Sequence, residues 1–337
     1  TAALFAGLLR YGVARRPAAF GAVAGLTVLA RPDVVVVVVV VFLVLRPGWA
    51  RAIGAALAVM LPWYVFSWLV LGSALPDTLV MKIGDAWSSY GFWNGPLLYL
   101  AVYPAATVLA FVPVVVGVPV LAGLLVVRLR GRWVAWQRAA AAAGLAAVAH
   151  YGAYCLLHTA PYHWYYAPLV VGMTLCASIV VARLRPVVAV PAALACASLA
   201  FDLAQGIPWD RAPISTNWAT AAQYQRMGED LHRVVGAGAV ESPGEIGTLA
   251  YYCDCAIVDA FSDRGRVIGA IEARERAGGL GAALLRLNYA HLDRAQQPLP
   301  VDFRLRYEAR TPPAGPDQWP VDHWVDGPGR IVLVPGR

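Results

Sequence analysis

The sequence predicts a polytopic α-helical membrane protein that ends in a small α/β domain. Hydrophobic residues make up 59% of the 337 residues, and only 14% are charged, whereas soluble domains carry about a quarter. The charges also divide along the chain. Residues 1–201 contain thirteen basic and three acidic residues, and residues 202–337 contain fourteen and seventeen. We therefore predict a transmembrane domain over 1–201 and a water-facing domain over 202–337.

Apolar segments recur throughout the first 201 residues. A helical crossing needs about 20 apolar residues, or fewer when the segment packs inside a bundle. The eight valines at 34–41 would favour a strand in water, but in lipid every backbone polar group must be paired within the segment, which favours a helix. We predict seven or eight segments and a polar loop at 72–96. The segments are 1–9, 17–30, 33–45, 49–72, 97–127, 139–157, 166–182 and 187–201.

Clusters of arginine predict the orientation of these segments, because basic residues concentrate on the cytoplasmic side of membrane proteins. Two segments separate each cluster from the next, so all the clusters can face the cytoplasm. The loop at 72–96 and the carboxyl-terminal domain are then extracytoplasmic. The clusters are Arg10, Arg15 and Arg16; Arg46 and Arg51; Arg128, Arg130, Arg132 and Arg138; and Arg183 and Arg185.

The net charge of +7 does not indicate a nucleic-acid partner, since the basic residues flank membrane segments and no nucleic-acid-binding motif is present. Arginine outnumbers lysine twenty-six to one, and Ala, Val and Gly are abundant. This composition fits a bacterial genome rich in G and C. We therefore expect a multi-pass protein of the bacterial cytoplasmic (inner) membrane.

The tail at 202–337 mixes helical and strand-like patterns, which predicts the α/β domain. Thr216 or Asn217 would cap its first helix. The predicted helices are 217–235, a short one within 243–253, 268–277 and 281–294. The predicted strands are 256–261, 301–307 and 331–334.

The five cysteines predict neither a disulfide nor a metal site. Cys155, Cys176 and Cys196 lie in apolar segments, where cysteine is commonly a small buried hydrophobe. Cys253 and Cys255 are too close in sequence for an easy disulfide. They also lack the second pair of ligands that a structural zinc site needs.

The loop at 72–96 is the strongest candidate for a functional site. It holds the only lysine of the chain, Lys82, and two of the three acids of the membrane domain, Asp77 and Asp85. An ammonium group can bind a phosphate, and a carboxylate can orient or deprotonate a hydroxyl. Lys82 and Asp85 are three residues apart, so they could instead pair on one helical face.

Arg31 and Asp33 form a second polar break, between two apolar segments. Charged groups at membrane depth usually line a cavity or pair with each other. Two interpretations therefore remain open for these residues, a binding role and a simple ion pair.

His163, Tyr165 and Tyr166 form an aromatic segment at the start of a later apolar run. Aromatic rings can stack on the apolar face of a sugar, so these residues could line the entrance for a sugar or lipid. The alternative is structural, because Tyr and Trp also anchor membrane proteins at the interface without any ligand.

Several sequence blocks resemble bacterial membrane glycosyltransferases of the GT-C superfamily. They are LARPD at 29–33, LGSALPDTLVMK at 71–82, PYHWYYAPL at 161–169 and the tail block GEIGTLAYYCDCAIVDAF at 244–261. The resemblance is to mannosyl- and arabinosyltransferases that depend on a polyprenyl-phosphate sugar. It implies a GT-C-like helical bundle that moves a sugar from that lipid-linked donor to an extracytoplasmic glycan, lipid or protein acceptor of the cell envelope.

The resemblance also implies roles for the candidate residues. Lys82, with Arg31, would bind the donor phosphate, and Asp77 lies in the same block, at a position where the family commonly has asparagine. Asp33 or Asp85 would be auxiliary catalytic residues. The principal acid of the family lies in an early outer loop with no counterpart here, so we expect a chain that lacks its amino-terminal part.

The resemblance implies that the aromatic residues His163, Tyr165 and Tyr166 line the entrance for the sugar or lipid. It also implies that the tail covers the cavity and recognises the acceptor. It implies no cofactor beyond the lipid-linked donor and leaves a divalent metal open.

Two other functions remain open. A transporter or flippase of lipid-linked substrates would carry acids at mid-membrane and discontinuous repeated segments, neither of which the sequence shows. A non-catalytic scaffold for envelope assembly would explain the missing principal acid.

Overall fold

The computed structural model of the chain is mostly helical, with one small sheet near the carboxyl end. The structure describes residues 1–82, 90–183, 189–205, 218–245, 247–259, 261 and 263–336. The chain divides into two compact units. We call Thr1–Leu75 with Ile83–Ala204 the helical unit, and Pro76–Lys82 with Gln205–Arg337 the sheet unit.

The helices, in chain order, are α1 (Ala2–Val13), α2 (Pro17–Ala30), α3 (Val35–Leu45), α4 (Trp49–Val70), α5 (Thr78–Lys82), α6 (Gly95–Val102), α7 (Pro104–Arg130), α8 (Ala135–Leu156), α9 (Ala167–Val181), α10 (Ala189–Gln205), α11 (Ala221–Val235), α12 (Gly247–Cys253), α13 (Arg264–Arg276) and α14 (Gly279–Asn288). Short 3-10 turns at Pro32–Val34 and His163–Tyr165 precede α3 and α9. The valine run is helical, as predicted, because a helix pairs its own backbone groups.

Four stretches of the described residues are long and apolar enough to cross a bilayer. They are Trp49–Val70, Pro104–Arg130, Ala135–Leu156 and His163–Val181. The other apolar helices of this part have 10–17 residues, which is shorter than a full crossing usually needs. A helical membrane protein is therefore supported, whereas the predicted seven or eight crossings are not established.

The candidate spans differ in how much of their surface the protein covers. Only 6% of the apolar window in α4 and 17% of that in α7 is buried, against 56% in α8. Contiguous apolar surface of this extent is rare on soluble monomers. The outer faces of α4 and α7 are therefore suited to lipid, and α8 occupies the middle of the helical unit.

Small residues let α2 and α4 approach closely. Gly21 and Gly25 are four residues apart on α2, and both face α4. A Cβ atom at Gly21 would collide with the carbonyl oxygen of Ala52, and one at Gly25 would lie 2.8 Å from that of Ala56. This is the G-x-x-x-G contact of membrane helices, in which small side chains allow backbones to pack against each other.

The same principle joins α8 and α9. The alanines from Ala139 to Ala143 on α8 are buried, and so are Ala146 and Ala147. A Cβ atom at Gly172 of α9 would lie 2.7 Å from the Cβ of Ala147. Close packing of small residues thus forms part of the core of the helical unit, beside larger side chains such as Phe5, Leu8 and Met173.

The sheet unit contains a five-stranded sheet in the order β2-β1-β3-β5-β4. Strand β1 is parallel to β2 and β3, and the pairs β3–β5 and β4–β5 are antiparallel. The strands are β1 (Ala239–Glu241), β2 (Ala256–Val258), β3 (Phe303–Ala309), β4 (Gln318–His323) and β5 (Gly327–Pro335). Each predicted tail strand overlaps β2, β3 or β5.

Strands β1 and β4 were not predicted. Strand β1 has three residues, too few for a recognisable alternation. Strand β4 contains Pro320, and proline lacks the N–H group that a central strand needs. Because β4 lies at the edge of the sheet, the proline is tolerated.

The cap of α11 also differs from the predicted Thr216 or Asn217, both of which lie outside the described residues. The side chain of Thr220 accepts the N–H of Gln223, and the Gln223 side chain accepts the N–H of Thr220. This reciprocal capping box satisfies two of the backbone donors at the helix start, so α11 begins at Ala221.

Helix α5 lies within the predicted loop at 72–96 but packs with the sheet unit. Val80 is buried against α13, where it joins Val267, Ile268 and Ile271 in one apolar cluster. The segment Pro76–Lys82 is therefore part of the sheet unit, although it lies between helices of the helical unit in sequence.

Two expectations about cysteine are wrong. Cys253 and Cys255 form a disulfide, with 5.1 Å between their Cα atoms, because Asp254 between them adopts a left-handed conformation (φ 49°) that turns the chain back. Cys196 is exposed on α10, whereas Cys176 is buried and Cys155 half-buried.

Candidate functional site

Arg31 and Asp33 form an ion pair at the end of α2. Arg31 is extended (φ −157°), and Pro32 then starts the 3-10 turn that carries Asp33. The Arg31 Nε donates to Asp33 Oδ1 at 3.1 Å, and Nη2 donates to Oδ2 at 2.6 Å. The proline-led turn thus places the guanidinium and the carboxylate in a two-bond contact, which is the strong geometry for this pair.

Helix α8 adds two more polar groups to the carboxylate. The hydroxyl of Tyr154 donates to Asp33 Oδ2 at 2.9 Å, and Nε2 of His150 lies 3.4 Å from the same oxygen. His150 and Tyr154 are one helical turn apart, so they share a face of α8. Three neighbouring side chains therefore surround one carboxylate and favour its ionised form.

The aromatic segment before α9 completes the surroundings of Arg31. The Arg31 Nη1 donates to the carbonyl oxygen of Trp164 at 3.3 Å, and its Cζ lies 5.7 Å from the ring centroid of Tyr165. The rings of Tyr154 and Tyr165 are 4.8 Å apart. We call Arg31, Asp33, His150, Tyr154 and Tyr165 the Asp33 cluster.

The Asp33 cluster remains partly open. The side chains of Arg31 and Asp33 are 24% and 22% exposed, so a small polar ligand can reach them. His150, in contrast, is fully buried, and its Nδ1 has no hydrogen-bond partner within the part of the chain that the structure describes. His150 therefore supports Asp33 from behind rather than from the open side.

Tyr166 and His163 occupy different surroundings from Tyr165. Tyr166 is 3% exposed. Its hydroxyl donates to the carbonyl oxygen of Phe92 at 2.7 Å, and its ring stacks on Phe92 at 4.4 Å. His163 is half-buried and meets the ring of Tyr99 edge-on at 6.3 Å. Tyr166 thus packs the interior, and of the three predicted aromatic residues Tyr165 is the one that contacts Arg31 and Tyr154 of the Asp33 cluster.

Lys82 and Asp77 fold with the sheet unit. The Lys82 Nζ lies 5.4 Å from the ring centroid of Phe261, in a cation–π contact, and burial lowers the pKa of Lys82. Asp77 Oδ2 is 3.2 Å from Nε of Arg264. A partly desolvated ammonium gains from an anionic ligand, which is consistent with phosphate binding by Lys82. That binding stays a prediction. Asp85, which was predicted to lie on the same helical face as Lys82, lies outside the described residues.

The structure thus brings together Arg31, Asp33 and Tyr165 of the predicted site residues. It adds His150 and Tyr154, which the sequence analysis missed. A signal for them was present, since a histidine inside an apolar segment is a candidate for function. Tyr154, four residues later, lies on the same helical face.

The described residues contain no group of three or more His, Cys, Asp or Glu side chains that could hold a metal ion. The Asp33 cluster itself presents a fixed carboxylate beside a guanidinium and aromatic rings. Such a group can accept a hydrogen bond from a ligand hydroxyl and orient it. No family model, curated protein or solved structure matches this chain.

Proposed function

We propose that this chain belongs to a membrane glycosyltransferase that moves a sugar from a polyprenyl-phosphate donor to an extracytoplasmic acceptor of the bacterial cell envelope. The observation that carries the proposal is the contact of Asp33 with Arg31, His150 and Tyr154. A partly open carboxylate in an apolar helical domain, next to an aromatic ring, suits an acceptor rich in hydroxyl groups.

Glycosyl transfer forms a bond between an acceptor oxygen and the anomeric carbon of the sugar, and it breaks the bond from that carbon to the phosphate oxygen. The polyprenyl phosphate leaves with the bonding electrons, and a base takes the acceptor proton. The polar contacts of Asp33 stabilise its anion and make it a weak proton acceptor. Asp33 therefore orients the acceptor hydroxyl, as an auxiliary to another carboxylate that removes the proton as a general base.

The donor phosphate needs a cation, and two residues are candidates. Lys82 is partly desolvated, which lowers its pKa, and a bound phosphate would favour its charged form. Arg31 donates to Asp33 and to the Trp164 carbonyl. We assign the donor phosphate first to Lys82, because a desolvated ammonium gains most from an anionic ligand.

The test is a transfer assay of the protein in proteoliposomes, with a panel of radiolabelled polyprenyl-phosphate sugars and an envelope extract as acceptor. We expect Asp33→Asn to lower kcat at least tenfold with little change in donor KM. Lys82→Ala should raise the donor KM at least tenfold, and Lys82→Arg should restore part of the loss because it keeps the charge.

Asp202→Asn is the matched control, because Asp202 is an exposed acid on α10. It should transfer sugar at the wild-type rate. Transfer at the wild-type rate by Asp33→Asn would show that Asp33 has no role in the reaction. An unchanged donor KM in Lys82→Ala would show that Lys82 does not bind the donor phosphate. Failure of the wild-type protein to use any of the donors would refute the proposed function.

A transporter of lipid-linked substrates is the second candidate, and His150 is the observation that favours it. A fully buried histidine inside a candidate span is typical of proton-coupled membrane proteins. Movement of a fluorescent polyprenyl-phosphate sugar across proteoliposomes, without transfer to any acceptor and abolished by His150→Ala, would support transport over transfer.

A further inference from the structure

An open groove of about 880 Å³ lies in the sheet unit, between the first turns of α11 and helix α12. Its polar and aromatic lining includes Gln223, Arg226, Thr248, Tyr251, Tyr252 and Asp322. None of the predicted site residues that the structure describes lines it, and all its lining residues belong to the sheet unit. We call it the α11–α12 groove.

The polar floor of the groove is fixed before any ligand binds. The Gln223 side-chain oxygen accepts the N–H groups of Thr220 and Asp322, at 2.9 and 3.0 Å. The Gln223 Nε2 donates to Asp322 Oδ2 at 3.2 Å. These bonds hold an amide and a carboxylate side by side in one orientation, which reduces the entropy lost when a ligand binds.

The aromatic wall of the groove is equally well supported. Tyr251 is 79% exposed, and its ring meets that of Tyr252 edge-on, at 5.0 Å and 84°. Gly228 lets α11 approach the base of this wall, since a Cβ atom there would lie 2.8 Å from the Cβ of Tyr252. The Cys253–Cys255 disulfide follows immediately and ties down the end of α12.

Arg226 supplies an available donor group. It is exposed on α11 and lines the groove. Among the described residues, its guanidinium has no ion pair or hydrogen bond, although many other arginines of the sheet unit are paired with acids. Its five N–H groups can therefore donate to a ligand.

We propose that the α11–α12 groove binds a saccharide chain. A sugar ring offers an apolar face for the exposed Tyr251 ring and hydroxyl groups for Gln223, Arg226 and Asp322. An apolar ligand would need a more enclosed hydrophobic pocket. A phosphate would meet the Asp322 carboxylate as well as Arg226, so a hydroxyl-rich ligand fits the lining better. The identification of this saccharide with the acceptor rests on the proposed function, but the binding itself does not.

The test uses the full chain in nanodiscs, without any sugar donor, applied to an array of bacterial envelope oligosaccharides and of mannan, arabinan and glucan fragments. We expect retention of at least one class of oligosaccharide. Tyr251→Ala should weaken that binding at least tenfold, because it removes the stacking surface, and Arg226→Gln should weaken it about threefold to tenfold.

Two exposed positions on α11 that do not line the groove serve as controls. Val234→Ala is the control for the tyrosine change, and Arg233→Gln is the control for the arginine change. Both should bind like the wild type. Equal loss in the controls, or no retention of any oligosaccharide by the wild type, would overturn the proposal.

The transfer assay keeps this result distinct from the proposed function. Saccharide binding that depends on Tyr251, in a wild-type protein without transfer activity, would support saccharide binding by the groove and refute the transferase. Transfer activity that Tyr251→Ala leaves unchanged, together with an array that stays empty, would refute the groove and uphold the transferase.

Discussion

The hydroxyl of Tyr154 donates a 2.9 Å hydrogen bond to Oδ2 of Asp33, a residue 121 positions earlier in the chain. This bond connects the last turn of α8 to the turn that follows α2. Because Arg31 already neutralises the charge of Asp33, Tyr154 chiefly fixes the direction of the carboxylate. The contact separates two effects that mutation can measure, the loss of a hydrogen bond and the loss of a counter-charge.

Tyr154→Phe should lower the free energy of unfolding by about 0.5–1.5 kcal/mol, the usual contribution of one hydrogen bond. Asp33→Asn should cost more, about 1.5–3 kcal/mol, because Arg31 then loses its charged partner. Thermal unfolding of the purified protein in detergent, with Asp202→Asn as control, measures both. The double variant should be destabilised by less than the sum of the two changes, and strict additivity would contradict the contact.

The close contact of α2 with α4 predicts that replacing a glycine inside the contact lowers stability, whereas replacing a glycine outside it does not. Gly21→Leu should destabilise the protein by about 1–3 kcal/mol or more, since the new side chain meets the α4 backbone. Gly54 lies on α4, and a Cβ atom there would have no neighbour within 4 Å among the described residues. Gly54→Leu is therefore the matched control, and it should leave the midpoint of thermal unfolding unchanged or raise it. A similar loss of stability in both variants would contradict the close contact.

The disulfide predicts the outcome of cysteine alkylation. In the denatured, unreduced protein, Cys155, Cys176 and Cys196 should react, and all five cysteines should react after reduction. Mass spectrometry counts the added groups. The short loop limits the expected stabilisation to about 1–2 kcal/mol, so Cys253→Ser with Cys255→Ser should still fold. Five alkylated cysteines before reduction would show that the bond is absent.

The burial of Lys82 predicts that its contribution to the free energy of unfolding changes with pH in the alkaline range. Burial lowers its pKa below the ordinary value of 10.5, so the unfolded chain holds this proton up to a higher pH than the folded protein does. Between the lowered pKa and 10.5 the unfolded state binds more protons, and the contribution of Lys82 to stability rises with pH. Below that range the folded protein bears the cost of the buried charge.

The comparison of wild type with Lys82→Met isolates this contribution, because methionine keeps a long apolar side chain without the charge. The advantage of Lys82→Met in unfolding temperature should be largest near neutral pH and should shrink as the pH approaches 10.5. An advantage that stays constant over this range would show that Lys82 has an ordinary pKa in the folded protein.

The sequence by itself determined the membrane character of the chain and most of its helices. Hydrophobicity is a local property, and the preference for helix in lipid follows from backbone pairing alone. This is why the valine run at 34–41 was correctly predicted as helical. The change in charge along the chain, which is also a local property, predicts a different kind of domain over residues 202–337. The number of crossings and the orientation stay predictions.

Only the tertiary structure decided which side chains meet. Asp33 could be paired with Arg31 from sequence, since the two are neighbours, but its contact with His150 and Tyr154 depends on how α8 packs beside the turn after α2. Pro76–Lys82 lies between helices of the membrane domain in sequence and folds with the sheet unit, because Val80 finds its apolar partners on α13. The Cys253–Cys255 bond likewise required the left-handed turn at Asp254. Contacts between distant segments depend on packing, which no local pattern records.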